Sequence, residues 1–120
     1  MKRSYRLRKP DHFRRVRREG KTVSSPLLSL HVAASRRRGL RCGFVVGKHL
    51  GGAVERNRAK RRAREAVRLV LASIVRGYDL VFVVRSPDVA TVPFLTLQET
   101  IVMLLRRAQL WQERITFDTP

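Results

Sequence analysis

Hydrophobic and polar positions in the first half of the chain predict a helix followed by two strands. A short amphipathic helix begins at Pro10 and stops at Gly20. Residues 27–34 then alternate between apolar and polar side chains, which indicates a strand with one buried face. A basic, glycine-containing loop separates it from residues 41–46, an apolar run that predicts the next strand.

The second half of the chain predicts a long helix, a strand and a last helix. Residues 55–76 carry apolar side chains at helical spacing, and Gly77 ends the helix. Residues 80–84 are apolar without interruption, which is typical of a central strand covered on both faces. Residues 94–113 again show an apolar stripe at helical spacing. The order α-β-β-α-β-α predicts an α/β fold, an α+β sandwich with helices against a small sheet.

The length of 120 residues suits a single domain with one hydrophobic core. Residues 1–9 are basic and without periodicity, which predicts a mobile arm. Residues 10–113 are then the folded domain, and residues 114–120 a C-terminal tail.

The net charge limits the possible classes of partner more than the rest of the composition does. Lys and Arg number 27 against 9 Asp and Glu, a formal net charge of +18, which favours a polyanionic partner. An anionic membrane is the weaker candidate, since no apolar run approaches the roughly 20 residues of a spanning helix. The N-terminus lacks the apolar core of a signal peptide, and the single Cys42 excludes an internal disulfide. We therefore expect an RNA-binding protein of the cytoplasm.

Chemistry-bearing side chains are few and scattered. The three histidines have no metal-ligand spacing, so His12 and His49 are interpreted as surface residues. His31 lies on the polar face of its strand, where a substrate contact and simple exposure are equally plausible. Cys42 is interpreted as a core residue, and Asp79 as a residue that helps turn the chain. We expect no catalytic residue and no metal or cofactor bound by the polypeptide alone.

The most informative segment is residues 55–68. At 100° per residue, its polar and basic side chains cover one arc, while alanines and valines occupy the neighbouring arc. Like charges four residues apart each cost about 0.2–0.5 kcal/mol in an isolated helix, so a neutralising partner is the economical explanation. The first helical turn also favours phosphate. We call this arc the cationic ridge; its members are Arg56, Asn57, Lys60, Arg61, Arg64 and Arg68.

Residues 53–65 (Ala-Val-Glu-Arg-Asn-Arg-Ala-Lys-Arg-Arg-Ala-Arg-Glu) resemble the arginine-asparagine-arginine helix of the bacterial ribonuclease P protein family. Residues 41–48 (Arg-Cys-Gly-Phe-Val-Val-Gly-Lys) and 9–13 (Lys-Pro-Asp-His-Phe) fit the same family in order and spacing. So do Gly20 and residues 78–80 (Tyr-Asp-Leu), and the resemblance extends over about residues 6–110.

This resemblance implies a monomeric subunit that binds a catalytic RNA and precursor tRNA. The RNA performs a Mg²⁺-dependent cleavage that releases the 5′ leader, and the ions are held mainly by RNA. It also implies a parallel βαβ unit with a left-handed crossover, against the usual rule. The implied RNA-binding residues are Arg56, Asn57, Arg58, Lys60, Arg61, Arg62, Arg64 and Arg68. The implied leader-binding cleft consists of Phe13, Arg17, His31, Phe44, Val46, Lys48, Lys60 and Arg64.

Three positions depart from the family pattern. Arg17 and His31 stand where aromatic residues are common, and stacking of an unpaired base is worth roughly 1–3 kcal/mol. His49 replaces a common lysine. Two other functions remain open from charge alone: a ribosomal or other structural RNA-binding protein of similar fold, and a DNA-binding domain.

Overall fold

The computed structural model describes residues 3–36 and 38–113. All six predicted elements are present in the predicted order, together with one additional strand. The elements are α1 (Pro10–Glu19), β1 (Lys21–Ser24), β2 (Leu28–Ala34), β3 (Arg41–Val46), α2 (Ala53–Val70), β4 (Tyr78–Val84) and α3 (Phe94–Arg107).

The four strands form one mixed sheet in the order β1-β2-β4-β3. β2 pairs antiparallel with both β1 and β4, whereas β3 pairs parallel with β4. The βαβ unit formed by β3, α2 and β4 is therefore parallel, as expected, and its left-handed crossover stays a prediction. β4 is covered on both faces, with Leu80 and Phe82 in one apolar cluster and Val81 in another, which explains its uninterrupted apolar sequence.

Two apolar layers lie on opposite faces of the sheet, because successive strand residues point in opposite directions. On one face, Phe82 and its alternate neighbours pack with α2 and α3 in the main core. Ala59 and Ala63 of α2 are buried there, and their small side chains let the helix backbone lie close to the sheet. On the other face, Val16 of α1 packs against Val81 in a smaller cluster. α1 and α2 therefore lie on opposite faces of the sheet.

Both long helices end earlier than predicted. α2 stops at Val70, where the chain tightens into a 3-10 turn (Leu71–Ser73) and Ile74 becomes extended to pair with Trp111. Apolar spacing continues through this turn, which is why the sequence predicted a helix to residue 76. α3 stops at Arg107, and a bond from the N–H of Leu110 to the carbonyl of Leu105 closes its C-terminus.

The N-terminal segment is attached to the sheet, so the prediction of a mobile arm over residues 1–9 is wrong for its described part. Arg6 pairs in parallel with Cys42 of β3, and the N–H of Leu7 donates to the carbonyl of Cys42 at 2.9 Å. Leu7 is buried in the smaller apolar cluster. One buried apolar residue in a basic segment does not produce a periodic sequence pattern, so the sequence did not predict this contact. The predicted tail over residues 114–120 lies outside the described residues.

Asp79 joins α1 to the sheet, a role that the sequence did not predict for it. Its carboxylate is fully buried and accepts two bonds of 3.0 Å from the guanidinium of Arg41. Arg15 of α1 donates to the same carboxylate. Cys42, in the main core, is 1% exposed, and burial raises the pKa of its thiol to about 12, which confirms the interpretation as a core residue.

Candidate nucleic-acid interface

The cationic ridge lies along the outer side of α2. Asn57, Arg61 and Arg68 are exposed, whereas Arg56, Lys60 and Arg64 are half-buried where the ridge approaches the sheet. The buried alanines on the opposite side of α2 fix the helix, so the ridge presents its charges in a defined arrangement. Among the described residues, Nε of Arg56 is buried without a hydrogen-bond partner, so this atom itself is not accessible to an external acceptor.

Two residues that the resemblance places against RNA lie off the ridge. Arg62 faces the turn that precedes α3, where its guanidinium donates to the carbonyl oxygens of Val89, at 2.7 Å, and Val92. Arg58 is exposed one helical turn earlier on the same side. The structure therefore gives Arg62 a role in holding the turn to α2, and its assignment as RNA-binding stays a prediction.

Truncation of Arg62 is expected to cost stability. Because the Arg62→Ala variant leaves two carbonyl groups without their charged donor, we expect the free energy of unfolding to fall by about 1.5–3 kcal/mol in urea titration. Arg58→Ala removes an exposed charge from the same side of α2 and is expected to change stability by less than about 0.5 kcal/mol. Equal stability of the two variants would contradict the role given to Arg62.

A cavity of about 330 Å³, which we call the edge cavity, lies between the N-terminal segment, α1, the β3 edge and α2. Four residues of the predicted cleft meet in it: Phe13, Phe44, Lys60 and Arg64. The N-terminal segment adds cations that the sequence did not assign to the site. The residues that line the edge cavity are Arg6, Leu7, Arg8, Phe13, Cys42, Gly43, Phe44, Lys60 and Arg64.

The edge cavity has the electrostatics of an anion-binding site. Its lining contains four cationic side chains and no carboxylate. The partial burial of Arg64 and the neighbouring charge of Arg6 both lower the pKa of the Arg64 guanidinium. Within residues 3–36 and 38–113, no ion pair neutralises Arg6, Arg8, Lys60 or Arg64. An anion that entered the cavity would relieve this mutual repulsion.

The two aromatic rings of the edge cavity differ in availability. Phe44 is 6% exposed, stacks on Phe82 at a centroid distance of 5.5 Å, and has the guanidinium of Arg64 over its ring at 5.8 Å. Phe44 therefore supports Arg64 and leaves little surface for a base. Phe13 is half-buried, and the end of its ring lies against Gly43, where any Cβ would approach Cε1 to 2.4 Å. Phe13 is the ring that a base could contact.

Arg17 and His31 lie in a separate shallow depression with Arg14 and Arg18. His31 Nδ1 is 3.0 Å from Oγ1 of Thr22, and its pKa is lowered by burial and by the charges of Arg17 and Arg85. The lowered pKa favours the neutral form of the ring, which contacts Thr22 across the β1–β2 pair.

Val46 packs on the main-core face, and Lys48 is exposed in a 3-10 turn (Lys48–Leu50); neither lines the edge cavity. The eight predicted cleft residues thus fall into three groups: four line the edge cavity, two line the shallow depression, and Val46 and Lys48 line neither.

The described residues contain no group of three His, Cys, Asp or Glu side chains placed to hold a metal ion. Over the same part of the chain, the helices are all too short or too polar to span a bilayer.

Comparison with known proteins decides the family. The model of the family described as Ribonuclease P matches residues 1–109. The chain is 60% identical over 108 residues to the ribonuclease P protein component of Chloroflexus aurantiacus, covering 90% of this chain and 80% of that protein. The chain belongs to the ribonuclease P protein family. With the component from Roseiflexus castenholzii the identity is 51% over all 120 residues, or 98% of that protein.

Solved structures of ribonuclease P proteins share the fold. The Staphylococcus aureus protein superposes with a TM-score of 0.79 at 26% identity, over 90% of this chain and 98% of that one. The Thermotoga maritima protein gives 0.77 at 30% identity, over 85% and 96%. The resemblance, the single-domain fold and the element order are thereby confirmed. Membership of the ribonuclease P protein family makes the chain an RNA-binding ribonucleoprotein component of tRNA processing.

Proposed function

We propose that this chain binds both the catalytic RNA of ribonuclease P and the 5′ leader of precursor tRNA. The observation that supports the proposal is the edge cavity, in which four cations that form no ion pair with any described residue surround one available aromatic ring beside the cationic ridge. A ridge of this kind suits the phosphates of a folded RNA, and a narrow cationic cavity suits a single strand.

The cationic ridge and the edge cavity would bind different RNAs. The ridge on α2 would contact the catalytic RNA, while Lys60 and Arg64, shared by both surfaces, would also receive leader phosphates. A leader base would stack on Phe13, a contact available only to an unpaired nucleotide. Neutralised phosphates would let catalytic RNA and substrate approach each other with fewer metal ions.

The cleavage itself is assigned to the RNA. The edge cavity contains no carboxylate, the ligand through which proteins hold Mg²⁺, so phosphates of the RNA would hold the ions that the reaction requires. The polypeptide would act as a monomer in the cytoplasm, where it binds and orients RNA without a catalytic group.

Reconstitution tests the proposal. The chain is mixed with a bacterial ribonuclease P RNA and a precursor tRNA at low Mg²⁺, and release of the leader is measured. Stimulation above the RNA alone is expected. Failure to stimulate, with tight binding to ribosomal RNA fragments, would favour the structural RNA-binding alternative, and a preference for duplex DNA would favour a DNA-binding domain.

Gly43→Ala is expected to weaken leader binding without removing a charge. The new Cβ would overlap the end of the Phe13 ring and displace it from its place in the edge cavity. Because base stacking is worth roughly 1–3 kcal/mol, affinity for precursor tRNA should fall about 5- to 100-fold, with little change for mature tRNA. Equilibrium binding of both RNAs measures the difference.

Gly39→Ala is the matched control, since a Cβ there has no heavy atom within 4 Å. It should bind both RNAs like the unaltered protein. If Gly43→Ala weakens both RNAs equally, Phe13 does not contact the leader.

A further inference from the structure

A second cavity lies at the C-terminal end of α2, beyond the edge cavity. Its volume is about 470 Å³, and we call it the Tyr5 cavity. Half-buried Leu71 and exposed Ala72 provide its apolar floor, whereas Leu40 and Ile74 in the same lining are each only 2% exposed. Its other walls include Tyr5, Arg68, Arg76 and Gln112, so it combines a ring, two guanidinium groups and an amide.

Tyr5 and Arg76 form a fixed pair of planar groups in the wall. Nη2 of Arg76 donates to the hydroxyl oxygen of Tyr5 at 3.0 Å, and its Cζ lies 5.8 Å from the ring centroid. The hydroxyl accepts in this bond, so its own hydrogen remains available to donate. The ring is half-buried and packs beside the main core, which holds it in place. Both planes are of the kind that stack on nucleobases.

The remaining polar groups of the cavity suit a nucleotide. Arg68 is the last residue of the cationic ridge, and bonds to Glu65, one of them 2.8 Å long, hold its guanidinium in place. The backbone N–H of Gln112 donates to the carbonyl of Ser73 at 2.7 Å, which fixes this segment and leaves the side-chain amide able to donate and accept. The lining of the Tyr5 cavity includes no carboxylate of its own, but Glu65 binds Arg68 and offsets its charge, so Arg76 supplies most of the attraction for a phosphate.

We propose that one unpaired nucleotide of the catalytic RNA places its base in the Tyr5 cavity. The apolar floor would receive the base, Tyr5 and Arg76 would stack on it, and Gln112 would bond its edge. The inference rests on the proposed function, because the ridge that would bind the RNA leads along α2 directly to Arg68. A duplex cannot fill the cavity, since its bases are stacked within the helix. The site therefore selects a bulged or looped nucleotide.

The full-length chain is titrated with a bacterial ribonuclease P RNA at several salt concentrations. Tyr5→Ala should bind roughly tenfold more weakly with an unchanged salt slope, because it removes a stacking surface and no charge. Tyr5→Phe keeps the ring and should stay within about threefold of the unaltered protein. Arg76→Lys keeps the positive charge but removes the planar guanidinium that would stack on the base. It should therefore weaken binding several-fold, again without a change in the salt slope.

Thermal unfolding of each variant separates a binding effect from a folding effect. If Tyr5→Ala does not fold, Arg76→Lys and Gln112→Ala carry the test, because neither removes a side chain of the core. Unaltered affinity in the folded variants would overturn the nucleotide site while the proposed function stands. If the unaltered protein itself neither binds the RNA nor stimulates cleavage, both proposals are wrong.

Discussion

Replacing Asp79 with alanine is expected to lower the free energy of unfolding by about 3–5 kcal/mol. The carboxylate is fully buried and binds Arg15 and Arg41, whose side chains are only 13% and 19% exposed. Without it, two positive charges remain close together in a region of low dielectric. A loss of this size is a large part of the about 5–15 kcal/mol that stabilises a typical domain. Urea titration followed by circular dichroism measures it.

Asp11→Ala is the matched control, because Asp11 also pairs with an arginine of α1 but is 84% exposed. Exposed pairs contribute about 0–1 kcal/mol, so this variant should remain nearly as stable as the unaltered protein. Asp79→Asn keeps the shape and removes the charge, and it should also be strongly destabilised. If Asp79→Ala and Asp11→Ala unfold at the same urea concentration, the buried carboxylate does not hold α1 to the sheet.

Elements that bury a long apolar stripe were predictable from the sequence, and short ones were not. β3 matches its predicted bounds of residues 41–46, and the core stripe of α2 is where helical spacing placed it. β1 has four residues, of which only Val23 is half-buried, so it produced no alternation. Its position is set by pairing with β2, a long-range contact that a local pattern does not contain.

In the candidate site, too, features set by local helix geometry were predictable, whereas features set by long-range contacts were not. The ridge follows from helix geometry, and its exposed and half-buried members lie where a period of 3.6 residues placed them. Arg6 and Arg8 enter the edge cavity only because Leu7 is buried against the sheet, and a charge-rich segment gives no signal of such a contact. In the sequence, Arg62 cannot be distinguished from the other arginines of α2. Only the fold shows that its guanidinium binds the turn before α3.

The double variant Lys60→Ala/Arg64→Ala is expected to bind precursor tRNA at least about 100-fold more weakly than the unaltered protein at 50–100 mM salt. Each side chain is a cation of both the ridge and the edge cavity, and a hydrogen bond to a charged group is worth about 1.5–3 kcal/mol. Loss of two phosphate contacts should also flatten the slope of log K against log salt by about 2. Each single variant should flatten it by about 1.

Arg36→Ala/Arg38→Ala is the matched control for total charge. It also removes two positive charges, but from exposed positions in the loop between β2 and β3 that line neither cavity. Because counterion release depends on the phosphates actually contacted, its salt slope should equal that of the unaltered protein. If the two double variants lose affinity equally, attraction by net charge explains the binding and the edge cavity has no specific role. A large loss confined to Lys60→Ala/Arg64→Ala would instead require that phosphates occupy the place where α2 meets the β3 edge.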